Sequence, residues 1–228
     1  MIRIVWQNEN LVVCDKPALV LSVPSRDRHD SRSCLGLELQ RQLGKKIYPV
    51  HRLDFEVSGL IIFALNEKSH REMQSWFNNK LIQKKYLATT AEQSFQHWPA
   101  HIKTERQLIP SEVGLKFVWK TQVFKGKKRA FESANGEWAE TQARIVGAGN
   151  VFGTILLSWE LYPVTGKSHQ LRFELSRRGF PIIGDQLYGS SLQNSEPGIA
   201  LRAVEIELGM VRSDLGLPKK LTLSHRRT

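Results

Sequence analysis

The chain has 228 residues with 41% hydrophobic content, enough to bury a substantial core in one or two domains, and we read it as a single domain spanning 1–228. Lys and Arg number 33 against 22 Asp and Glu, a formal net charge of +11, which points to a polyanionic partner, nucleic acid first, with plain surface solubility as the alternative. Two cysteines without CxxC spacing exclude a disulfide framework and a zinc site, and an N-terminus interrupted by Gln7, Asn8, Glu9 and Asn10 excludes a signal-peptide core and a membrane span, so a reducing, cytoplasmic setting is expected.

Residues Ile2 to Trp6 and Leu11 to Cys14 read as two short strands parted by Asn8-Glu9-Asn10, and Asp15-Lys16-Pro17 ends the second because Pro cannot extend a ladder. The stretch SVPSRDRHDSRS, 22–33, carries Arg26, Arg28 and Arg32 among Ser and Asp and predicts a mobile surface loop. Leu35, Leu39 and Leu43 recur every four residues, so a short amphipathic helix is expected with Ser33 as its cap and Gly44 as its stop. Next comes HRLDFEVSGL, 51–60, where Asp54 stands between a basic pair and the apolar run LIIFAL, a buried strand. A charge at the mouth of a buried strand needs a reason. One is a turn in which the carboxylate bonds its own backbone.

Asn66 is placed to cap a helix whose Met73, Trp76 and Phe77 share an apolar face. QKKYLATT, 83–90, is strand-like, and Tyr86 on residue type alone is a packing residue. The middle, from about 94 to 136, reads as hairpin material with Lys116, Lys120, Lys125, Lys127, Lys128 and Arg129 interleaved with Phe117, Trp119 and Phe124. Its GKKR fits either a half-exposed sheet turn or a phosphate contact. Within TGKSHQLRFELSRRGFPIIGDQLYG, 165–189, Ser168 can cap a helix that runs to Arg178 and stops at Gly179, although Leu171, Phe173 and Leu175 also alternate as a strand would. GIALRAVEIEL supplies a last strand, and there is no internal repeat or interdomain linker.

The block HRLDFEVSGL resembles the signature of the RluA-type RNA pseudouridine synthases, written H-R-L-D-x-x-T-S-G-L, with Val57 in place of Thr. The same family is matched by Asp15-Lys16-Pro17, by its K-x-Y at Lys84-Lys85-Tyr86, weakly by its A-x-T at Ala139-Glu140-Thr141, and by its T-G-R-T-H-Q-I-R and G-x-P-I-x-G-D-x-x-Y-G segments. In these Lys167 replaces Arg, Ser168 replaces Thr and Phe180 replaces His, and Arg202 stands where relatives often carry His. Two blocks about a hundred residues apart match in the right order, which is more specific than either alone. The resemblance covers roughly Leu11 to Leu208 and implies an α+β fold, a mixed and largely antiparallel sheet flanked by helices with a central active-site cleft. Relatives often carry a small N-terminal RNA-binding domain; this chain starts too close to its DKP for one, so the core is expected to grip RNA alone, as a monomer.

What the resemblance implies for chemistry is the conversion of a uridine in ribosomal or transfer RNA to pseudouridine. The N1 glycosidic bond breaks, the uracil turns, and C5 is joined to C1′, with no metal, nucleotide or other cofactor called for. Asp54 would be the catalytic carboxylate, ionised and aided by the guanidinium of Arg172, since a neighbouring cation favours the charged form. Tyr86 would stack on the extruded base, Arg52 fill or steer the vacated space, and Leu171 form the apolar wall, with His51, Lys84 and His169 completing the substrate site. Taking the base out of its stack costs a few kcal/mol. Two other readings stay open: a catalytically silent RNA-binding protein on the same core, and a metal-dependent RNA hydrolase using His51 and His169.

Overall fold

A computed structural model describes residues 1–27, 29–96, 106–209 and 215–223; Arg28 of the arginine-bearing loop and 97–105 of the middle stretch lie outside the described residues. In chain order, β1 (Ile4–Gln7) and β2 (Leu11–Lys16) precede α1 (Leu35–Leu43), β3 (Tyr48–Pro49), β4 (Ser58–Ala64) and α2 (Glu67–Asn78). Then come β5 (Ile82–Ala91), β6 (Lys116–Lys125), β7 (Ala130–Glu132), β8 (Glu137–Val151) and β9 (Thr154–Pro163). After α3 (Gln170–Ser176) and a single 3₁₀ turn at Gln186–Tyr188, β10 (Leu201–Leu208) and β11 (Lys220–Thr222) follow. The class is α+β, as the resemblance implied. Two compact units are formed, Met1–Lys84 with Ala203–Thr228, and Lys85–Arg202.

In the first unit the strand order is β1-β2-β4-β10, with β3 on β4 and β11 on β10. β2 and β4 pair antiparallel from Leu11↔Ala64 to Lys16↔Gly59, and the apolar runs Leu11 to Cys14 and Leu60 to Ala64 within them are unbroken because central strands are covered on both faces. Leu11, Val13, Leu60 and Ile62 pack with Met73 and Trp76 of α2 and with Ile206. Cys14 and Cys34 are free and buried; burial, with the Asp15 charge beside it, pushes the Cys14 thiol up to about 12. Gly59, at φ +116°, sits where an added Cβ would fall 2.1 Å from the Ala203 carbonyl oxygen, so only glycine lets β4 lie this close to β10.

Asn66 caps α2 as expected, its side chain accepting from Ser69 N at 2.8 Å. Ser33 does not cap α1. Cys34 occupies that position without a side-chain bond, because a bridge to Leu21 takes the backbone instead: Leu21 N donates to Ser33 O and Leu35 N to Leu21 O. Gly44 closes α1 in the left-handed region, as read from the sequence.

The second unit is ordered β5-β9-β8-β6-β7. β6 and β8 alternate cleanly: Trp119, Thr121 and Val123 with Ala139, Thr141, Ala143 and Ile145 face the core, and Lys116, Val118 and Lys120 with Trp138, Gln142 and Arg144 face away. The hairpin expected in the middle stretch is present, with β6 and β7 joined across GKKR. Against the inner face, Phe173 of the wholly buried α3 packs on Val123, Ala130, Ala139 and Tyr188. Ser168 does not cap α3. His169 precedes the first helical residue at φ 54°, outside the extended geometry a side-chain cap needs, and Gln170 ties the entry instead, its Oε1 accepting from Lys167 N and Thr165 Oγ1. At the far end Gly179 N donates to Ser176 O and Phe180 N to Leu175 O, the paired bonds of a glycine-terminated helix, so Gly179 is the stop. The α-helical residues end at Ser176, short of the expected Arg178, because Arg178 N bonds Leu175 O in a tighter last turn.

Candidate active site

Asp54 lies on a loop whose backbone is held from several sides before it enters β4. Ser22 Oγ donates to Leu53 O at 2.7 Å and accepts from Leu53 N at 3.0 Å, fixing the residue just before it. Val57 N donates to Asp54 O at 3.2 Å, closing the turn, and Leu19 N donates to Phe55 O. Beneath, the fully buried Lys16 amine donates to the carbonyls of Pro17 (2.9 Å), Val20 (2.7 Å) and Phe55 (3.4 Å). Burial pushes this amine down to about 8 against the opposing pull of the Asp54 and Glu56 carboxylates. The result is a half-buried carboxylate on a pre-set backbone, the kind of placement chemistry on a fixed substrate requires. Val57 is 2% exposed, so its methyls fill core space and the departure from Thr leaves the loop's packing intact.

Around this loop, Arg52 is exposed. Arg32, from the loop expected to be mobile, is gripped by Asp30 in a two-pronged pair and lies 4.7 Å over the Phe55 ring. His51 stacks on Phe77 at 4.8 Å, and its Nε2 accepts from Ile62 N at 3.1 Å. That acceptor role requires the neutral ring; burial first and the Lys84 charge second push His51 down to about 3. Lys84 itself, 5.9 Å from the Phe77 ring centre, is lowered to about 8 by burial. His51, Lys84 and Phe77 thus form one cluster, in which His51 supports β4.

This cluster sets a pH dependence. The unfolded chain binds a proton on His51 near 6.5 and the folded chain only near 3, so stability is fully present above 6.5 and falls as pH drops below it, by up to about 1.4 kcal/mol per pH unit. His51→Gln keeps an acceptor for Ile62 N without the titration. Urea unfolding between pH 5 and 7.5 is expected to show a shallower loss in the variant by about one proton; identical slopes would place the uptake elsewhere.

In the second unit Tyr86 is half-buried on β5, opposite Leu161 of β9. Leu171 and Arg172 are buried on α3. Arg172 donates from Nε and a terminal nitrogen to the two Asp185 oxygens at 2.7 and 2.8 Å, both side chains being 1% exposed. Its guanidinium carbon is 5.2 Å from the centre of the Tyr188 ring. The Tyr188 hydroxyl accepts from Ala130 N at 2.7 Å and shares a hydrogen bond with His169 Nδ1 at 3.2 Å. Arg172, His169 and Tyr188 are therefore one constellation, with Leu171 beside it on α3. Two departures from the family pattern have local partners: Lys167 pairs with Glu137, and Phe180, fully buried, meets Trp159 edge-on at 5.2 Å.

Four residues emerge that the sequence reading did not single out: Lys16, Ser22, Asp185 and Tyr188. Asp185 and Tyr188 stand inside the matched GDQLYG, and Lys16 inside DKP, so the motifs contained the signal without the roles. Among the described residues no group of three or more His, Cys, Asp and Glu could hold a metal ion, and no helix is long and apolar enough to cross a membrane.

A family model described as RNA pseudouridylate synthase matches residues 10–177. The chain is 30% identical over 208 residues to the dual-specificity RNA pseudouridine synthase RluA of Vibrio vulnificus, covering 90% of this chain and 76% of that protein. It is 32% identical to the protein of that name in Escherichia coli strain K12 (82% and 77% covered), and 30% identical to tRNA pseudouridine synthase C of Vibrio cholerae (85% and 77%). Among solved structures, human RNA pseudouridylate synthase domain containing 1 superposes with a TM-score of 0.69 at 20% identity, covering 99% of this chain and 91% of that one, a likeness of fold.

Proposed function

The chain belongs to the RNA pseudouridylate synthase family, and we propose that it isomerises a uridine of ribosomal or transfer RNA to pseudouridine, with Asp54 as the reacting carboxylate. The observation that carries the assignment of Asp54 is its position on a loop braced by Ser22 and Lys16, half-buried at the entrance of β4 within the family's signature. Net atoms balance without a co-reactant: the N1–C1′ bond breaks, C5–C1′ forms, and the proton lost from C5 is matched by one gained at N1. Asp54 serves as base or nucleophile at the sugar. Tyr86 stacks on the base, Arg172 is the cation of the reacting centre, Leu171 gives an apolar wall, Arg52 steers the vacated stack, and His51, Lys84 and His169 support the substrate. The enzyme acts in the cytoplasm, as a monomer forming one catalytic domain over 1–228, without metal or cofactor.

The test is a map of pseudouridines in ribosomal and transfer RNA from cells with and without this chain. At least one position is expected to disappear and to return with wild type but not with Asp54→Asn. A map that does not change removes the proposal. Tyr86 is tested by a pair of variants: Tyr86→Phe keeps the ring and Tyr86→Ala loses it, so affinity for the modified RNA is expected to fall by about 1–3 kcal/mol only in the second. Equal binding by the two would make Tyr86 a packing residue.

A further inference from the structure

The second unit has a sheet face that is left uncovered among the described residues. On the outward side of β6 and β8, Trp138 is 64% exposed, Val118 62% and Phe124 42%, large values for side chains that usually seek cover. Phe124 pairs with Phe131 at 5.4 Å on this side. Between the strands runs a groove of about 360 Å³, whose lining includes Lys116, Val118, Gln142, Arg144, Glu160 and Tyr162. An apolar, aromatic face of this kind would suit a protein partner, but its charges argue otherwise. Lys116 stands directly opposite Arg144 on one side, and Arg144 faces Glu160 of β9 on the other. The face thus sets two neighbouring cations against one carboxylate that Lys85 also holds, and an anion would relieve the like-charge pair. The carboxylates nearby are occupied: Glu160 by Lys85 at 2.5 Å and by the Tyr162 hydroxyl, and Glu140 by Lys120 at 3.7 Å. Next to Phe124, the β6–β7 turn adds exposed Lys125, Lys127 and Lys128.

We propose that this outward face of β6, β8 and β9 is a platform for single-stranded RNA, with bases stacked on Trp138 and beside Tyr162 and phosphates on Lys116, Arg144 and the lysines of the β6–β7 turn. The platform uses none of the residues assigned to catalysis and rests on the RNA-acting reading only for the source of its strand. Rings interleaved with cations on an open sheet are what an unpaired strand needs, because every base offers a stacking face and every nucleotide a phosphate. A second strand segment held here would let the protein grip RNA flanking the uridine it modifies.

The experiment uses the full chain and a labelled oligouridylate of about twelve nucleotides, within the span one such surface binds. In fluorescence anisotropy Trp138→Ala is expected to weaken binding about tenfold or more, and Trp138→Phe to restore most of it. Lys116→Gln with Arg144→Gln is expected to flatten the salt dependence of log affinity by about 0.7 per lost phosphate contact. On the RNA the wild type modifies, Trp138→Ala should raise KM with kcat unchanged. A wild type that forms no pseudouridine would sink the catalytic reading while leaving the oligouridylate result to stand. Unchanged affinity in both Trp138→Ala and the double variant overturns the platform, as does self-association that Trp138→Ala abolishes without touching RNA affinity, which would put a second copy of the chain there.

Discussion

Asp54→Asn is expected to be a folded, RNA-binding protein whose turnover has fallen by several orders of magnitude, about 10⁴-fold or more. The amide keeps the size and hydrogen-bonding outline of the carboxylate but can neither attack the sugar nor take a proton. The loop is braced through its backbone at several points: Ser22 holds Leu53, Lys16 holds the carbonyls of Pro17, Val20 and Phe55, and Val57 bonds the Asp54 carbonyl. Removing the charge should leave that frame in place, while the Lys16 amine, which the Asp54 charge raises, titrates lower than before. RNA affinity, resting on Lys and Arg contacts to phosphates, is expected to be equal or slightly higher. Circular dichroism establishes the fold and filter binding the affinity, after which single-turnover assays on the modified RNA decide. A rate near wild type would take Asp54 out of the chemistry.

Asp185→Asn is expected to cost about 3–5 kcal/mol of stability, the usual consequence of breaking a buried ion pair from one side. In the native protein the Arg172 guanidinium, 1% exposed, is held by both oxygens of a carboxylate that is itself 1% exposed. An asparagine turns one acceptor into a donor that faces the guanidinium, so the fork loses a bond and gains a repulsion. Tyr188, packed against the same guanidinium and bonded to Ala130 N, transmits the loss to β7. Arg172→Lys, by contrast, keeps the charge and gives up the planar fork, and should fall between wild type and Asp185→Asn. Urea unfolding of the three proteins orders them. An Asp185→Asn protein within about 1 kcal/mol of wild type would mean that the pair is not what fixes α3.

The sequence was most legible where the chain is locally consistent. Asn66 announced α2 because a cap acts within one turn, Gly44 and Gly179 announced helix ends because a left-handed residue is needed there, and the apolar run after Gly59 could only be a covered strand. Ser33 and Ser168 misled for a shared reason. Each had a side chain suited to capping, but the backbone around it was already committed, to Leu21 in one case and to the left-handed His169 in the other. The candidate site was legible as motif and not as arrangement. Asp185 stands in its motif without a role until the fold brings it to Arg172, thirteen positions away, and Lys16 before a proline reads as a strand end until burial gives it three carbonyls. Ser22 sat in a stretch whose composition pointed to solvent, and nothing local says that its hydroxyl reaches Leu53.

The sealed thiols of the first unit turn this chain into its own opening gauge. With Cys14 lifted to about 12 and Cys34 buried, neither should react with a thiol reagent at neutral pH until the unit opens. The rate at which an aromatic disulfide or a maleimide consumes them then reports how often β2 and the start of α1 come apart, resolved from the rest of the molecule. The same protection leaves room for a single introduced cysteine at an exposed position such as Gln142 to be the only site of fast labelling, so a dye can be mounted on the second unit with both native residues in place.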